Sequence, residues 1–188
     1  IAITDNIIPH EKRPGDKLLT RYFVNSCHGF ITLSTSVKAE LGTFTSKPIT
    51  YFPHPINDNL GVKTTPQVAK QYLKLDEETN YLLFFGIIRK YKGLDLLLEA
   101  IANGKLKDLN FKLLIVGEFY DDPEPYYEMI EKLNIKDRVI IHNEFVPTED
   151  IKYYFSAADL VTQTYHTASQ SGISQIAYNF ENPMLVTN

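Results

Sequence analysis

The chain has 188 residues, a formal net charge of −4 and 44% hydrophobic residues, which suits a globular protein with one full domain and part of another, and the mildly acidic balance argues against nucleic acid as a partner. Cys27 is its single cysteine, which excludes an intrachain disulfide and fits a reducing compartment. No apolar run reaches the roughly 18–20 residues that a membrane-spanning helix needs.

Ile1–Thr4 is an apolar run and reads as a strand. The segment His10–Arg21 holds Lys12, Arg13, Lys17 and Arg21 beside Leu18, Leu19, Tyr22 and Phe23. It reads as a solvated helix with one buried face, or as a contact for an anionic membrane or a lipid-phosphate acceptor. Strands are expected at Gly29–Leu33 and Ile49–Phe52. PHPINDNLG, starting at Pro53, is rich in turn formers and marks a division. Beyond it, Thr65 can cap a short helix that has Pro66 at its first position.

Tyr81–Phe85 reads as a buried strand, and Leu94, Leu97, Leu98, Ile101 and Ala102 then recur at helical spacing. Strand Phe111–Val116 leads to the stripe Tyr126, Ile130, Leu133. Strand Arg138–His142 leads to Ile151, Tyr154, Phe155, Ala158. Strand Leu160–Gln163 leads to Ile173, Ile176, Ala177, Phe180, and Pro183–Thr187 is the last strand. Short continuous apolar strands alternating with helices predict an α/β fold, a doubly wound parallel sheet covered on both faces. Residues 1–55 read as the end of one such domain, 56–80 as a linker with a lead-in helix, and 81–188 as a second domain, incomplete at its C-terminus. The chain opens and closes inside strands, so a fragment of a longer enzyme is expected.

Four loops follow these strands. In YLLFFGIIRKYKG a buried strand stops at Gly86, and Arg89, Lys90 and Lys92 precede Gly93 and a helix. Arginine offers a planar fork and lysine a compact charge, and together they can neutralise a diphosphate leaving group. The alternative is a solvated cationic turn. In YHTASQSGISQIA the loop after Leu160–Gln163 ends at Ser171–Gly172, where a helix starts. Its free amides make an anion site to which Ser169, Gln170 and Ser171 add donors, and an ordinary serine cap is the alternative. GEFYDDPEP carries Asp121 and Asp122; adjacent acids before a proline read as a solvated loop, and no metal site is expected. Asn143–Pro147 has a backbone able to face a nucleobase, with His142 read as a strand-end residue. Loops that follow strands of one parallel sheet gather at one edge, which favours a shared ligand site.

The ordered series FFGIIRKYKGLDLLLEA, KLLIVGEF, FVPTEDIKYYFSAADLVTQTY and SGISQIAYNFENPMLVTN resembles the C-terminal domain of family 4, or group 1, glycosyltransferases. TDNIIPHEKRPGDKLLTRYF and GFITLS resemble the end of their acceptor-side domain. The resemblance implies a GT-B fold of two Rossmann-like domains, with 1–55 on the acceptor side and 81–188 binding the nucleotide sugar. It implies transfer from a nucleotide-sugar donor, UDP- or GDP-linked, with retention of configuration and without a metal or other cofactor. Gly86, Arg89 and Lys92 would then bind the diphosphate, and Ser171 and Gly172 would turn amides to the phosphates. Gln175 would face the donor, and Phe145 and Val146 would lie near the base. Asp5 and His10 are the candidates beside the reacting carbon.

The sequence departs from the family in three places. Many members carry arginine directly after the loop glycine, where this chain has Ile87, and Arg89 is the expected substitute. Many carry two glutamates eight positions apart, where this chain has Ala168 and Ile176. Gln175 and the Ser169–Ser171 group are the expected replacements. Many also have a histidine near Asp5, where this chain reads Thr4-Asp5-Asn6. The expected activity is that of a retaining hexosyltransferase in polysaccharide biosynthesis. It would be cytoplasmic or peripheral at the inner membrane face, with a glycan or lipid-linked acceptor and no nucleic-acid partner. The alternatives are a non-catalytic GT-B relative acting as a binding module and a GT-B sugar-nucleotide epimerase.

Overall fold

The computed structural model describes residues 1–9, 14–55, 59–168 and 171–187. The chain forms two compact units, Ile1–Pro55 with Thr167–Gly172, and Ile56–His166 with Ile173–Asn188. Among the described residues no helix is long and apolar enough to cross a membrane.

The first unit is built on three parallel strands in the order β1 (Ala2–Thr4), β2 (Phe30–Thr32), β3 (Ile49–Tyr51). Two helices connect them, α1 (Asp16–Ser26) and α2 (Thr35–Gly42). Phe30 packs with Ile7, Val24, Val37 and Leu41 in a small core. Helix α2 has no counterpart in the strand-and-stripe reading of the sequence. It starts because the Ser34 side chain accepts a hydrogen bond from the Val37 amide, 3.1 Å away. Helix α1 ends under a lysine: Lys47 Nζ donates to the carbonyls of Val24, Asn25 and Cys27 at 3.0, 2.8 and 2.6 Å. Those carbonyls have no partner inside the helix, and a cation there also meets the negative end of the helix dipole.

The second unit is a five-stranded parallel sheet. Its strands are β4 (Asn80–Phe85), β5 (Phe111–Val116), β6 (Val139–His142), β7 (Leu160–Gln163) and β8 (Met184–Val186), in the spatial order β6-β5-β4-β7-β8. Helices α3 (Pro66–Tyr72), α4 (Leu94–Ile101), α5 (Glu124–Lys132), α6 (Thr148–Ala157) and α7 (Gly172–Asn179) complete it. Thr65 caps α3, as its sequence suggests, by accepting from the Val68 amide.

The strands divide their side chains between two faces, because successive residues of a strand point opposite ways. Leu83 and Phe85 of β4, with Leu114 and Val116 of β5, pack against Tyr154 and Phe155 of α6 and Ala177 of α7. Phe84, Leu113 and Ile115 point the other way, against Leu94, Leu97, Leu98 and Ile101 of α4 and Ile130 of α5. Burial on both faces explains the continuous apolar runs. Each fully buried Leu or Phe contributes roughly 1.5–3 kcal/mol of transfer free energy.

The strand order positions the site. From central β4 the chain steps outward to β5 and β6, then returns to β7 and β8 on the other side. The order therefore reverses between β4 and β7, which pair at Leu82↔Leu160 and Leu83↔Val161. In doubly wound sheets ligands bind outside the carboxyl ends of the strands at such a point of reversal.

Candidate active site

The loops after β4 and β7 meet at that end of the sheet and are tied together. The amide of His166 donates to the Tyr91 carbonyl at 2.8 Å. Thr164 Oγ1 donates to the Gly93 carbonyl at 2.7 Å. His166 Nε2 lies 3.1 Å from Asp95 Oδ1 at the start of α4. Gly93 makes this closeness possible: a Cβ there would stand 1.8 Å from the Thr164 carbonyl oxygen, and its φ of +66° also favours glycine.

The loop after β5 is tied to the first in turn. The Gly86 amide donates to the Val116 carbonyl, the Ile88 amide to Glu118 and the Tyr120 amide to Ile88, at 2.9, 2.8 and 3.0 Å. A Cβ on Gly117, whose φ is +128°, would come within 2.5 Å of the Gly86 carbonyl oxygen. The Phe119 amide donates to Asn143 Oδ1 at 3.2 Å, which joins the loop after β6 to the same edge.

The two candidate cations leave the first loop in different directions. Lys92 turns toward β7. Its Nζ lies 5.9 Å from the centroid of the Tyr165 ring and 3.4 Å from where a Cβ on Gly86 would stand. On that same point, at 3.2 Å, rests Ile173 Cδ1 from the first turn of α7. Arg89 turns toward the loop after β5, and its guanidinium carbon lies 3.6 Å from the centroid of the Tyr120 ring. Ile87, directly after the loop glycine, is half exposed.

Lys92 is 8% exposed. Burial, and to a lesser degree the Arg89 charge, lower its pKa from 10.5 to about 8. In the folded protein Lys92 therefore gives up its proton near pH 8, while in the unfolded chain it keeps it to about 10.5. Below pH 8 both states are charged, and the folded state bears the cost of a buried ammonium. Between pH 8 and 10.5 the unfolded state binds more protons, so the contribution of Lys92 to stability rises with pH, by at most about 3 kcal/mol. Urea denaturation of wild type and Lys92→Met at pH 7, 8, 9 and 10 checks this. The wild type is expected to gain on the variant as pH rises, and parallel curves would refute it.

The other candidates fall as follows. Asp5 is exposed just after β1 in the first unit. Phe145 is exposed, whereas Val146 packs partly into the core beside α6. Ser171 precedes α7, Gly172 opens it, and Gln175 is half-buried one turn on. His10, Lys12, Arg13, Ser169 and Gln170 lie outside the described residues. Ile176, at the second glutamate position, packs against the core of the α6–α7 face. Ala168 is exposed. His142 stands at the end of β6 with Nδ1 3.0 Å from the Tyr154 hydroxyl.

Three contributors were missed in the sequence. Tyr165 lines the lysine, Thr164 locks Gly93, and Gln163 at the end of β7 accepts from the Ser174 hydroxyl of α7 at 2.9 Å. Only the polar run Thr162-Gln163-Thr164 hinted at them, because polar side chains at the end of a buried strand need partners.

Comparison with known proteins adds three findings. Residues 67–176, more than half of the chain, match the family described as glycosyl transferases group 1. A D-inositol 3-phosphate glycosyltransferase of Segniliparus rotundus is 34% identical over 104 residues, which cover 54% of this chain and 23% of that protein. Two solved structures superpose at low identity. A sucrose-phosphate synthase from Thermosynechococcus elongatus does so with a TM-score of 0.79, 18% identity, and 94% of this chain against 44% of its own. The Anabaena protein Alr3699/HepE, in complex with UDP-glucose, does so with a TM-score of 0.81, 17% identity, and 98% of this chain against 52% of its own. The chain thus spans about a quarter of the curated relative and about half of the two structures.

Proposed function

The chain belongs to the group 1 glycosyl transferases, and from that premise we propose that it transfers a sugar from a UDP- or GDP-linked donor to a glycan or lipid-linked acceptor. Its α/β fold, with Rossmann-like parallel sheets, is that of the GT-B enzymes. The proposed transfer proceeds with retention of configuration, without a metal, in the cytoplasm or at the inner membrane face.

One observation carries this reading: the Lys92 ammonium and the first turn of α7 meet at Gly86, at the reversal of the strand order. A buried cation beside a helix N-terminus suits a dianionic leaving group. As the bond from the anomeric carbon to the diphosphate oxygen breaks, negative charge builds on that oxygen. Lys92 stabilises it in a site of low dielectric, and Arg89 adds to the positive field from the Tyr120 side. The Ser171 and Gly172 amides, with Ser169 and Gln170, would hold the phosphates, and Gln175 the sugar or ribose hydroxyls. Phe145 and Val146 would flank the base. Asp5 and His10 remain the proposed contacts near the reacting carbon.

A second reading, a non-catalytic relative that binds without transfer, is favoured by Ala168 and by the packing of Ile176 into the core. Neither side chain can bond a hydroxyl. Calorimetric titration with UDP, GDP, ADP and TDP, first without metal and then with magnesium, tests the donor site, and sugar transfer or donor hydrolysis by the full-length protein separates the two. Binding of one nucleotide without metal is expected. Failure of all four to bind would overturn the transferase reading in favour of the second.

A further inference from the structure

GEFYDDPEP supplies no charged group to the proposed diphosphate site, yet it walls a cavity. Between the loops after β4 and β5, on the α4–α5 face, lies a hollow of about 320 Å³. That is the lower end of the range of small-ligand pockets. Its floor is apolar, from Ile88, Phe119 and Met129, with Tyr126 as a wall. The Phe119 and Tyr126 rings sit 5.6 Å apart at 45°. Its rim carries both signs of charge, Arg89 and Lys90 with Asp95, Asp121 and Asp122, of which Asp95 is already engaged by His166. It lies on the Tyr120 side of the first loop, whereas Lys92 lies on the Tyr165 side.

We propose that this cavity is a glycan subsite, which takes a neutral, hydroxyl-rich segment of the sugar chain bound by this protein. The identity of the ligand as a glycan rests on the transferase reading above. The chemistry of the walls selects it. A sugar ring offers apolar C–H faces to an aromatic and aliphatic floor, and vicinal hydroxyls at its edge. Those hydroxyls donate to a carboxylate and accept from a guanidinium in the same plane. Asp95, Asp121 and Asp122 disfavour a phosphate in the cavity, while Arg89 and Lys90 offset most of their pull on an amine. A neutral polar ligand satisfies both signs.

The subsite is also held in shape before any ligand arrives, which lowers the entropy lost on binding. Ile88 and Phe119 are bridged as neighbouring strand residues. The Arg89 guanidinium rests over the Tyr120 ring, its carbon 3.6 Å from the centroid. Asp122 Oδ1 accepts from the Glu124 amide at 3.1 Å, at the start of α5. Asp122 therefore serves the helix as well as the rim, and the exposed Asp121 is the cleaner residue to change.

The test is an array of neutral oligosaccharides probed with this chain, followed by calorimetry on the best binder and, separately, on the nucleoside diphosphates. Met129→Trp fills the floor and supplies the only tryptophan, since the chain has none, so its fluorescence reports folding. Asp121→Ala removes the rim acceptor and decides the matter if Met129→Trp fails to fold. Both variants are expected to lose at least tenfold in oligosaccharide affinity and to bind nucleotide within twofold of wild type. Binding of no neutral oligosaccharide, or oligosaccharide binding that survives Asp121→Ala, would overturn the proposal. So would a parallel loss of nucleotide, which would assign the cavity to the donor. Oligosaccharide binding lost in the variants, with no nucleotide bound by wild type, would leave the subsite standing and remove the transferase reading.

Discussion

Lys92→Met is expected to cut sugar transfer by roughly 100-fold or more, the usual cost of removing one group that stabilises developing charge. Nucleoside diphosphate affinity should fall with it, because the ammonium would be lost from beside Gly86. Methionine keeps the length and packing of the lysine stem, so the loss reports the charge. Arg89→Ala should cost less, since its guanidinium lies over Tyr120 and reaches Lys92 only through its field. The same Lys92→Met protein should unfold at higher urea at pH 7, because a buried charge with a pKa lowered to about 8 destabilises the empty site. A weaker but more stable protein is the signature of a residue kept for its ligand. Nucleotide titration and urea denaturation of one preparation check both. Unchanged affinity would remove Lys92 from the site.

Gly93→Ala is expected to destabilise the second unit by about 3 kcal/mol or more and to abolish nucleotide binding. The methyl group would stand 1.8 Å from the Thr164 oxygen and 2.9 Å from its carbonyl carbon, both backbone atoms that cannot rotate away. Left-handed backbone adds about 1–2 kcal/mol for alanine, and overpacking a closed contact about 1–3 kcal/mol. Relief requires the β7 loop to draw back, which breaks the Thr164–Gly93 and His166–Tyr91 hydrogen bonds. Lys92, the preceding residue, would lose its place against Tyr165. Gly104→Ala is the control, for a Cβ there meets nothing within 4 Å. Thermal unfolding of both variants measures the difference, and a Gly93→Ala protein as stable as the Gly104→Ala control would refute the locked-loop geometry.

The strands were legible because both faces of the second sheet are covered, so Tyr81–Phe85 and Phe111–Val116 are nearly unbroken apolar runs. Their ends shifted by a residue where the ladder closes, as at Asn80. Helix α2 was not legible: it buries only Val37 and Leu41 of its eight residues, too few to set a periodicity, and its one clear signal was the Ser34 cap. Of the candidate site, the places of the loops could be read, since each follows a buried strand of one parallel sheet. Their directions could not. Nothing local tells that Arg89 lies on Tyr120 while Lys92 is buried beside Tyr165, because the partners sit 31 and 73 positions away. Nor did spacing show that Val146 and Ile176 pack partly into the core while Phe145 stays in solvent. Those outcomes depend on which helix covers each residue.

The backbone ladder between β4 and β5 does not stop at Gly86 and Gly117 but continues through Ile88 and Tyr120. These two loops are therefore one structural piece. Transplanting either of them alone onto a related scaffold would leave unmatched amides at the edge of the sheet, and an insertion in one would displace the other. Variation that changes what this edge recognises should then occur as paired changes in residues 86–93 and 117–125, with the ladder residues altered last.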